Sequence, residues 1–279
     1  MKSIAGFDHA LILVQDLDDG YDRMRRLGFR PTPRGVHSAH MGTANYTIML
    51  SDMTYFEVIG VLNPTPSNSD MRAMLERRQG LLGFAVKTDD AEALHEELAP
   101  SGAADGGVLA FSRPVDLPGG TKDATFTVVN LKREKTLGLK MFACTHHTPD
   151  VVWREDYLEQ PNGVSGVSAV VGEVPDVDLA ERAYGELFGE RVSRRGHEVS
   201  IDFGNSTVSF LSGSELESRF GLAPLGDAAL RVLRLRTQDL NLTHKVLDEN
   251  HVELDDRDAS RLTVAPHEAC GAMIQFVSH

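Results

Sequence analysis

Apolar and polar positions along the chain follow two alternating periods, and their order recurs. Residues 7–14 (FDHALILV) form an apolar run typical of a buried strand, and four apolar residues then follow at helical spacing up to Leu27. Gly28 stands where a left-handed helix cap belongs. Three shorter β-rich segments come next, at 29–36, 44–50 and 54–62. The pattern therefore predicts a β-α-β-β-β unit.

The same order of elements returns three more times. Strand-like runs at 81–88, 166–174 and 230–238 open the later units, and each precedes a helical pattern and three further strand-like segments. The repeat is too long for a solenoid and fits four supersecondary units paired into two domains. We predict an α+β chain with an N-terminal domain at 5–146, a linker at 147–165 and a C-terminal domain at 166–279.

The amino-acid composition excludes several kinds of binding partner. The chain has 41 acidic and 28 basic residues, a net charge of −13, which argues against a nucleic-acid surface and against docking on anionic lipid. No apolar run approaches the roughly 20 residues of a membrane helix, and the first residues lack a signal-peptide pattern. Two cysteines, Cys144 and Cys270, fit a reducing compartment. We expect a cytoplasmic protein that binds a small molecule.

Several segments are similar to those of one known family. These are DHALILVQDLDDGYDRMRRLGF (8–29), GVHSAHMGTAN (35–45), TYFEVIGV (54–61), MFACTHHTPDVVW (141–153) and PNGV (161–164). Together with the four-unit layout they resemble the vicinal oxygen chelate superfamily and, within it, the glyoxalase-like domain family. The resemblance implies cupped, mixed sheets and a divalent metal, and the layout is compatible with a homodimer. The resemblance does not identify the substrate, because proteins with this fold catalyse many different reactions.

The resemblance also implies where metal ligands stand, namely on the first and last strands of a unit. In the first unit the matching positions are His9 and Glu57. A carboxylate in so apolar a strand is costly unless it is paired or ligated. The alternatives are a core histidine bonded to a backbone carbonyl and a glutamate bonded to an arginine or an amide. Imidazole and carboxylate ligands together suit Mn, Fe, Ni, Zn or Co.

The second unit offers one further ligand. Its first strand begins Leu81-Leu82-Gly83, which cannot bind a metal, so the nearest ligand is His146, just past the last strand. The alternative is a histidine packed under the linker between the halves. Cys144 lies on an apolar strand and is more typical of an inert core thiol than of a nucleophile.

Two loop histidines are candidates for acid–base catalysis. His37 and His40 precede the third strand of the first unit, and an unperturbed imidazole titrates near pH 6.5. Asn45, at the start of that strand, could orient a substrate carbonyl. The alternatives are two surface histidines and a capping asparagine.

The C-terminal units offer no comparable ligands. The matching positions fall near Ser168, Val232 and Gln275, none of which is a good ligand. We therefore expect no metal in that half, and an extradiol dioxygenase is disfavoured. Two functions stay open: a metal-dependent lyase or isomerase that stabilises an enolate, or a metal-free protein that sequesters a small molecule, as drug-resistance members of the superfamily do.

Overall fold

The computed structural model describes residues 1–117, 119–257 and 260–278. The elements of the first half are β1 (Ile4–Val14), α1 (Leu17–Arg26), β2 (Gly35–Val36), β3 (Thr43–Met49), β4 (Tyr55–Val61), α2 (Ser69–Leu75), β5 (Gly80–Thr88), α3 (Ala91–Leu98), β6 (Leu109–Leu117), β7 (Gly120–Asn130) and β8 (Lys140–His146).

Two short helices, α4 (Pro149–Val152) and α5 (Glu155–Leu158), connect the halves. The second half then contains β9 (Val164–Glu173), α6 (Val177–Phe188), β10 (Val192–Arg195), β11 (Glu198–Asp202), β12 (Thr207–Leu211), α7 (Gly213–Phe220), β13 (Ala229–Thr237), α8 (Leu240–Glu249), β14 (Leu254–Arg257), β15 (Arg261–Val264) and β16 (Met273–Ser278). None of the helices in the described ranges is long and apolar enough to cross a membrane.

The strands that the structure describes form two eight-stranded mixed sheets with the same topology. The orders are β2-β3-β4-β1-β5-β8-β7-β6 and β10-β11-β12-β9-β13-β16-β15-β14. In every unit the first strand runs parallel to the last, and two units join along antiparallel first strands. The predicted α+β class with four β-α-β-β-β units is confirmed. In the first sheet the edge strands β2 and β6 also contact each other, so this sheet curves into an almost closed cup.

Local sequence explains where α1 begins and ends. The side chain of Asp16 accepts hydrogen bonds from the backbone N–H groups of Asp18 and Asp19, at 2.8 and 3.0 Å, which caps the first turn. Basic residues occupy the last turn, where they complement the helix dipole. Leu17 and Met24 are buried against the sheet, so the helix covers the side opposite the cup.

Three local expectations differ from the structure. The strand predicted at 29–36 is only Gly35–Val36, because Pro31 and Pro33 have no N–H to donate to a ladder. The segment predicted as a linker contains α4, which begins at Pro149, because proline favours the first position of a helix. The structure also has α7, which the strand and helix patterns did not predict.

The two halves share one hydrophobic core on the helix-bearing faces of the sheets. Its buried members come from both sheets and from α1, α3, α6 and α8. Phe84 of the first sheet packs against Phe203 of the second, with ring centroids 6.1 Å apart, and Phe203 contacts Phe188 of α6 at 5.5 Å. The sheets span residues 4–146 and 164–278. The division into domains at 5–146 and 166–279 stays a prediction, because the core between these ranges is continuous.

Candidate functional site

A β-bulge in β1 gives the cup its charged centre. Along β5, the partner of Val86 is Phe7 and the partner of Ala85 is His9, so Asp8 is an extra residue in β1. A bulge breaks the alternation of side chains. Asp8 and His9, although adjacent, therefore contact each other through Oδ1 and Nδ1 at 2.5 Å, and both are buried.

The Asp8 carboxylate lies between two imidazoles. Besides His9, it accepts from Nε2 of His146, whose distances to Oδ1 and Oδ2 are 3.2 and 3.1 Å. Burial alone would raise the pKa of Asp8, but the charge and hydrogen bonds of His146 and His9 lower it well below its ordinary value. Asp8 is therefore ionised, and each ring nitrogen that faces it carries the hydrogen.

The other nitrogen of each ring has no hydrogen-bond partner in the part of the chain that the structure describes. Nδ1 of His146 is buried and makes no hydrogen bond to any described residue. Nε2 of His9 likewise makes none within the described ranges. In a neutral imidazole that nitrogen holds a lone pair. The cup thus contains two imidazole nitrogens of the kind that bind a metal while a carboxylate orients the ring from the other side.

Glu57 lies on the same face of the sheet. His9 stacks on Tyr55 with ring centroids 4.2 Å apart, and Glu57 is two residues further along β4, so its side chain points to the same side. Glu57 is 7% exposed and accepts a hydrogen bond at Oε2 from Nδ2 of Asn45. The structure therefore places Asn45 beside this carboxylate.

Aromatic side chains form the walls of the cup. Phe142 meets His9 edge-on at 5.4 Å, and Phe126 meets His146 at 5.1 Å. Trp153, which follows α4, meets His146 at 4.6 Å and covers this end of the cup together with Val151 and Val152. The remaining polar groups are therefore enclosed by apolar surface, where electrostatic interactions are stronger than in water.

Cys144 shares the charged centre. Ligand atoms of Asp8, Cys144 and His146 all lie within 4.8 Å of one another. Neither His9 nor Glu57 belongs to that group, so the structure does not bring the three predicted ligands, His9, Glu57 and His146, within this distance of one another. Burial raises the pKa of the Cys144 thiol well above its ordinary value, and the charges of Asp8 and Glu57 raise it further. Cys144 is thus a protonated thiol, as expected of an unreactive cysteine.

The two loop histidines occupy different surroundings. His37 is half-buried and its Nδ1 lies 2.7 Å from Oγ1 of Thr43. Burial lowers the pKa of His37, whereas the charge of Glu57 raises it, so His37 lies within electrostatic reach of Glu57. His40 is exposed, and its Nε2 lies 2.7 Å from Oγ of Ser67. The structure thus brings His37 close to the predicted ligands and leaves His40 on the surface loop.

Sequence reasoning missed Asp8, Tyr55 and Arg113. Asp8 carried a signal, since it is a second ionisable residue in an apolar strand next to His9. Tyr55 looked like ordinary core, but burial raises the pKa of its hydroxyl well above the ordinary value, with Asp8 and Glu57 acting in the same direction. Arg113 belongs to β6, on the far side of the cup, and its charge acts on Glu57 and Tyr55.

The second half has different residues at the positions that match the predicted metal ligands. Val232 is fully buried in a small apolar cluster, and Gln275 accepts from Arg234 at 3.0 and 3.2 Å. Ser168 is half-buried. One group of possible ligands does occur there, formed by Glu253, His267 and Glu268. Two of its members are exposed, and Glu268 is paired with Arg26, so this group has the character of a surface ion-pair cluster.

Fold and site together define the class of protein. Two paired cups built from four β-α-β-β-β units are the architecture of the vicinal oxygen chelate superfamily. The family model described as "Glyoxalase-like domain" matches residues 7–188, and the chain belongs to that family. A comparison with curated proteins found no match.

Solved structures share the fold at low sequence identity. A hypothetical protein from Staphylococcus aureus aligns with a TM-score of 0.70 and 12% identity, over 98% of this chain and 99% of its own. A mutant of 4-hydroxymandelate synthase from Streptomyces coelicolor gives 0.61 and 12%, over 99% and 93%. The Mn(II)-bound glyoxalase from Novosphingobium aromaticivorans gives 0.60 and 11%, over 99% and 82%.

The residues of the cup fit a divalent metal. Nδ1 of His146 is a buried polar atom without a partner among the described residues, and a metal would satisfy it. Asp8 supplies the outer carboxylate that histidine ligands usually have. His9, Glu57 and His146 as the ligand set stay a prediction, and Cys144 is a further donor within reach of His146.

Proposed function

We propose that this protein is a metal-dependent enzyme of the glyoxalase type, a lyase or isomerase acting on a small molecule with two neighbouring oxygen atoms. One observation carries the proposal: His9 and His146 each have an imidazole nitrogen without a partner among the described residues, and both side chains lie on the same face of the sheet as the Glu57 carboxylate. Membership of the glyoxalase-like domain family supports it.

His9, Glu57 and His146 would hold the metal, and their mixture of nitrogen and oxygen donors suits Mn, Fe, Ni, Zn or Co. When bound, the metal supplies Lewis-acid chemistry, which stabilises negative charge that develops on a substrate oxygen. Asp8 fixes which ring nitrogens face the metal. The apolar walls exclude water from the developing charge.

A side chain beside the metal ligands would transfer the proton during the reaction. His37 is the better placed of the two predicted histidines, because burial lowers its pKa and keeps the imidazole neutral at pH 7, ready to accept a proton. His40 is on the exposed loop, so we assign it a secondary part at the mouth of the cup. The Asn45 side chain, beside Glu57, would orient a substrate carbonyl.

A second candidate is a binding protein without catalysis. The aromatic walls formed by Tyr55, Phe126, Phe142 and Trp153 suit a flat apolar ligand, and the acidic surface suits a cationic one. Metal content separates the two candidates, because a sequestering protein needs no metal.

The experiment is metal analysis of the purified chain after incubation with Mn(II) and removal of excess metal. We expect about one metal per chain, and near-complete loss in His9→Ala and His146→Ala because each removes a donor. His147→Ala is the matched control: His147 is the next residue, and its Nε2 lies 2.5 Å from Thr127 Oγ1. A folded wild-type protein that retains no metal would contradict the enzyme proposal and favour the binding protein.

The proposal also includes a cellular compartment and an oligomeric state. Both cysteines are free and buried, which supports the reducing cytoplasm as the compartment. A homodimer stays a prediction from the family layout, and sedimentation velocity measures it directly.

A further inference from the structure

Arg113 is a charged residue in an apolar row that faces the cup. Along β6, burial alternates: Phe111, Arg113 and Val115 are half-buried, while Ser112 and Pro114 are exposed. Phe111 and Val115 pack against the aromatic cluster inside the cup. Because side chains alternate along a strand, Arg113 shares their inward direction.

The guanidinium of Arg113 interacts with Glu57 and Tyr55 only through longer-range electrostatics. It makes no hydrogen bond and no ion pair with any residue that the structure describes, although the chain carries 41 acidic residues. Its two arginine neighbours are satisfied: Arg34 bonds Asp18 and the hydroxyl of Tyr46, and Arg154 bonds Asp156. A half-buried cation normally finds an anion, so an unpaired one marks a place where the anion comes from outside.

A small cavity adjoins this arginine. Its volume is about 60 Å³, and it is lined by Arg113 and by Arg34, Arg154, Thr32, Thr47 and Tyr157, among others. Pockets for whole ligands measure roughly 300–1,000 Å³, so this space accepts one chemical group and not a complete substrate.

The cavity lies beside the proposed metal site, although none of the predicted metal ligands lines it. Thr47 is the register partner of Glu57. Gly35 lies between the two sites, since a Cβ on it would be 2.7 Å from Oδ1 of Asn45 and 3.0 Å from Nη1 of Arg113. The missing side chain therefore lets Arg113 approach the amide that holds Glu57. A group bound by Arg113 is thus within one small molecule's reach of the metal ligands.

We propose that Arg113 is the anion-binding residue of the substrate site, so that the substrate carries a carboxylate in addition to its pair of neighbouring oxygens. The inference rests on the proposed function, because it places the two ends of one substrate at Arg113 and at Glu57. The planar guanidinium binds a carboxylate through two parallel N–H groups, which fixes orientation as well as affinity.

The test compares matched probes by isothermal titration calorimetry, with both metal-free and Mn(II)-loaded protein. 3,4-Dihydroxyphenylacetate and 4-methylcatechol both carry neighbouring oxygens, but only the first carries a carboxylate. Dihydroxyacetone phosphate and dihydroxyacetone form the second pair and detect a preference for phosphate. We expect wild type to prefer 3,4-dihydroxyphenylacetate over its neutral partner by about 10- to 100-fold, the usual strength of a charged hydrogen bond.

Arg113→Gln should reduce that preference to about three-fold or less, with metal content unchanged. Arg113→Lys keeps the charge but loses the paired geometry, and should give an intermediate value; it also carries the test if the glutamine variant does not fold. Arg77→Gln removes an exposed arginine paired with Asp227 and is the control. An unchanged preference in Arg113→Gln and Arg113→Lys, or none in wild type, would overturn the inference. A preference only within the phosphate pair would replace carboxylate by phosphate.

The two proposals fail in different ways. A protein that binds no metal but still prefers the carboxylate through Arg113 contradicts the proposed enzyme and keeps the anion site. A protein that binds one metal and shows no charge preference keeps the enzyme and contradicts the anion site.

Discussion

The cup of the first sheet and the equivalent face of the second sheet, here called the second cup, have the same strand topology but differ in how their polar side chains are paired. In the first cup, Asp8 holds two imidazoles whose outer nitrogens are unpartnered in the described structure. In the second, polar side chains satisfy one another: Arg234 bonds Gln275, and Gln275 donates to Thr263. Buried polar groups normally have partners, so an open one points to a ligand. Fold alone therefore does not distinguish the two cups, and the unsatisfied polar atoms are what makes the first one the candidate site.

The cups also differ in how they are filled. In the first, Met71 and Met74 of α2 pack against Leu11 and Leu82 at one end, and Trp153 covers the other. Between them lie the charged groups. In the second, Leu216 of α7 packs directly on strand residues such as Val232 and Met273. The second cup is thus filled by apolar side chains and by polar ones that bond each other, whereas the first is a polar chamber with apolar walls.

The largest expected effect on metal binding comes from removing a carboxylate from the first cup and, in a separate variant, adding one to the second. Glu57→Gln removes an anionic donor from the first cup and should lower Mn(II) affinity by at least about 100-fold. Gln275→Glu adds a carboxylate to the second cup but should add no metal, because Arg234 would pair with it. Metal content measured by mass spectrometry should be about one per chain in Gln275→Glu. A second metal in that variant would mean that the comparison between the cups is wrong.

A smaller effect is expected from Asp8, which touches the ligands but need not touch the metal. Asn in its place keeps the shape, but its amide nitrogen cannot accept a hydrogen bond from an imidazole. Outer carboxylates of this kind are worth about 10- to 100-fold in metal affinity. Competition against a fluorescent chelator should show that loss in Asp8→Asn.

The control for Asp8→Asn is Asp52→Asn. Asp52 is another partly enclosed carboxylate, paired with Arg236 of the second half and away from the cup. Its replacement should leave Mn(II) affinity unchanged. Equal losses in both variants would mean that Asp8 acts only through stability of the fold.

Much of this architecture could be predicted from the sequence. Runs such as 7–14, the helical spacing up to Leu27 and the cap at Gly28 are local signals, and four repetitions of them define the topology. Helix α7 had comparable signals: Ser212 caps Glu215, and Gly221 ends the helix in a left-handed conformation. It was missed although α2 stands at the equivalent place of the first half, between β4 and β5.

The site could be predicted only in part. His9 and Glu57 were visible as polar residues in apolar strands, and strand alternation gives their common face. The bulge at Asp8 could not be predicted, because it depends on the register between β1 and β5, which pairs residues far apart in sequence. Arg113 was equally hidden, since its inward direction and lack of an ion pair to any described residue follow from closure of the sheet between β2 and β6.

The smallest expected effect concerns the His37 imidazole, and it tests how far the electrostatics of the first cup extend. Burial lowers the pKa of His37 below 6.5, Glu57 raises it and Arg113 lowers it. In metal-free protein, Glu57→Gln removes a negative charge and should lower the pKa of His37 further, whereas Arg113→Gln removes a positive charge and should raise it. Each change should be less than about one unit.

NMR titration of the imidazole signals, with His37 assigned from a His37→Asn variant, measures both shifts. Opposite signs in Glu57→Gln and Arg113→Gln would mean that His37, Glu57 and Arg113 share one electrostatic chamber, as the geometry of β2, β4 and β6 requires. Gln275→Glu, in the second cup, should leave the His37 titration unchanged because the shared core separates the two faces. Shifts of the same sign in the first two variants would instead indicate a general loosening around β2, and His37 would then lose its place beside the proposed metal site.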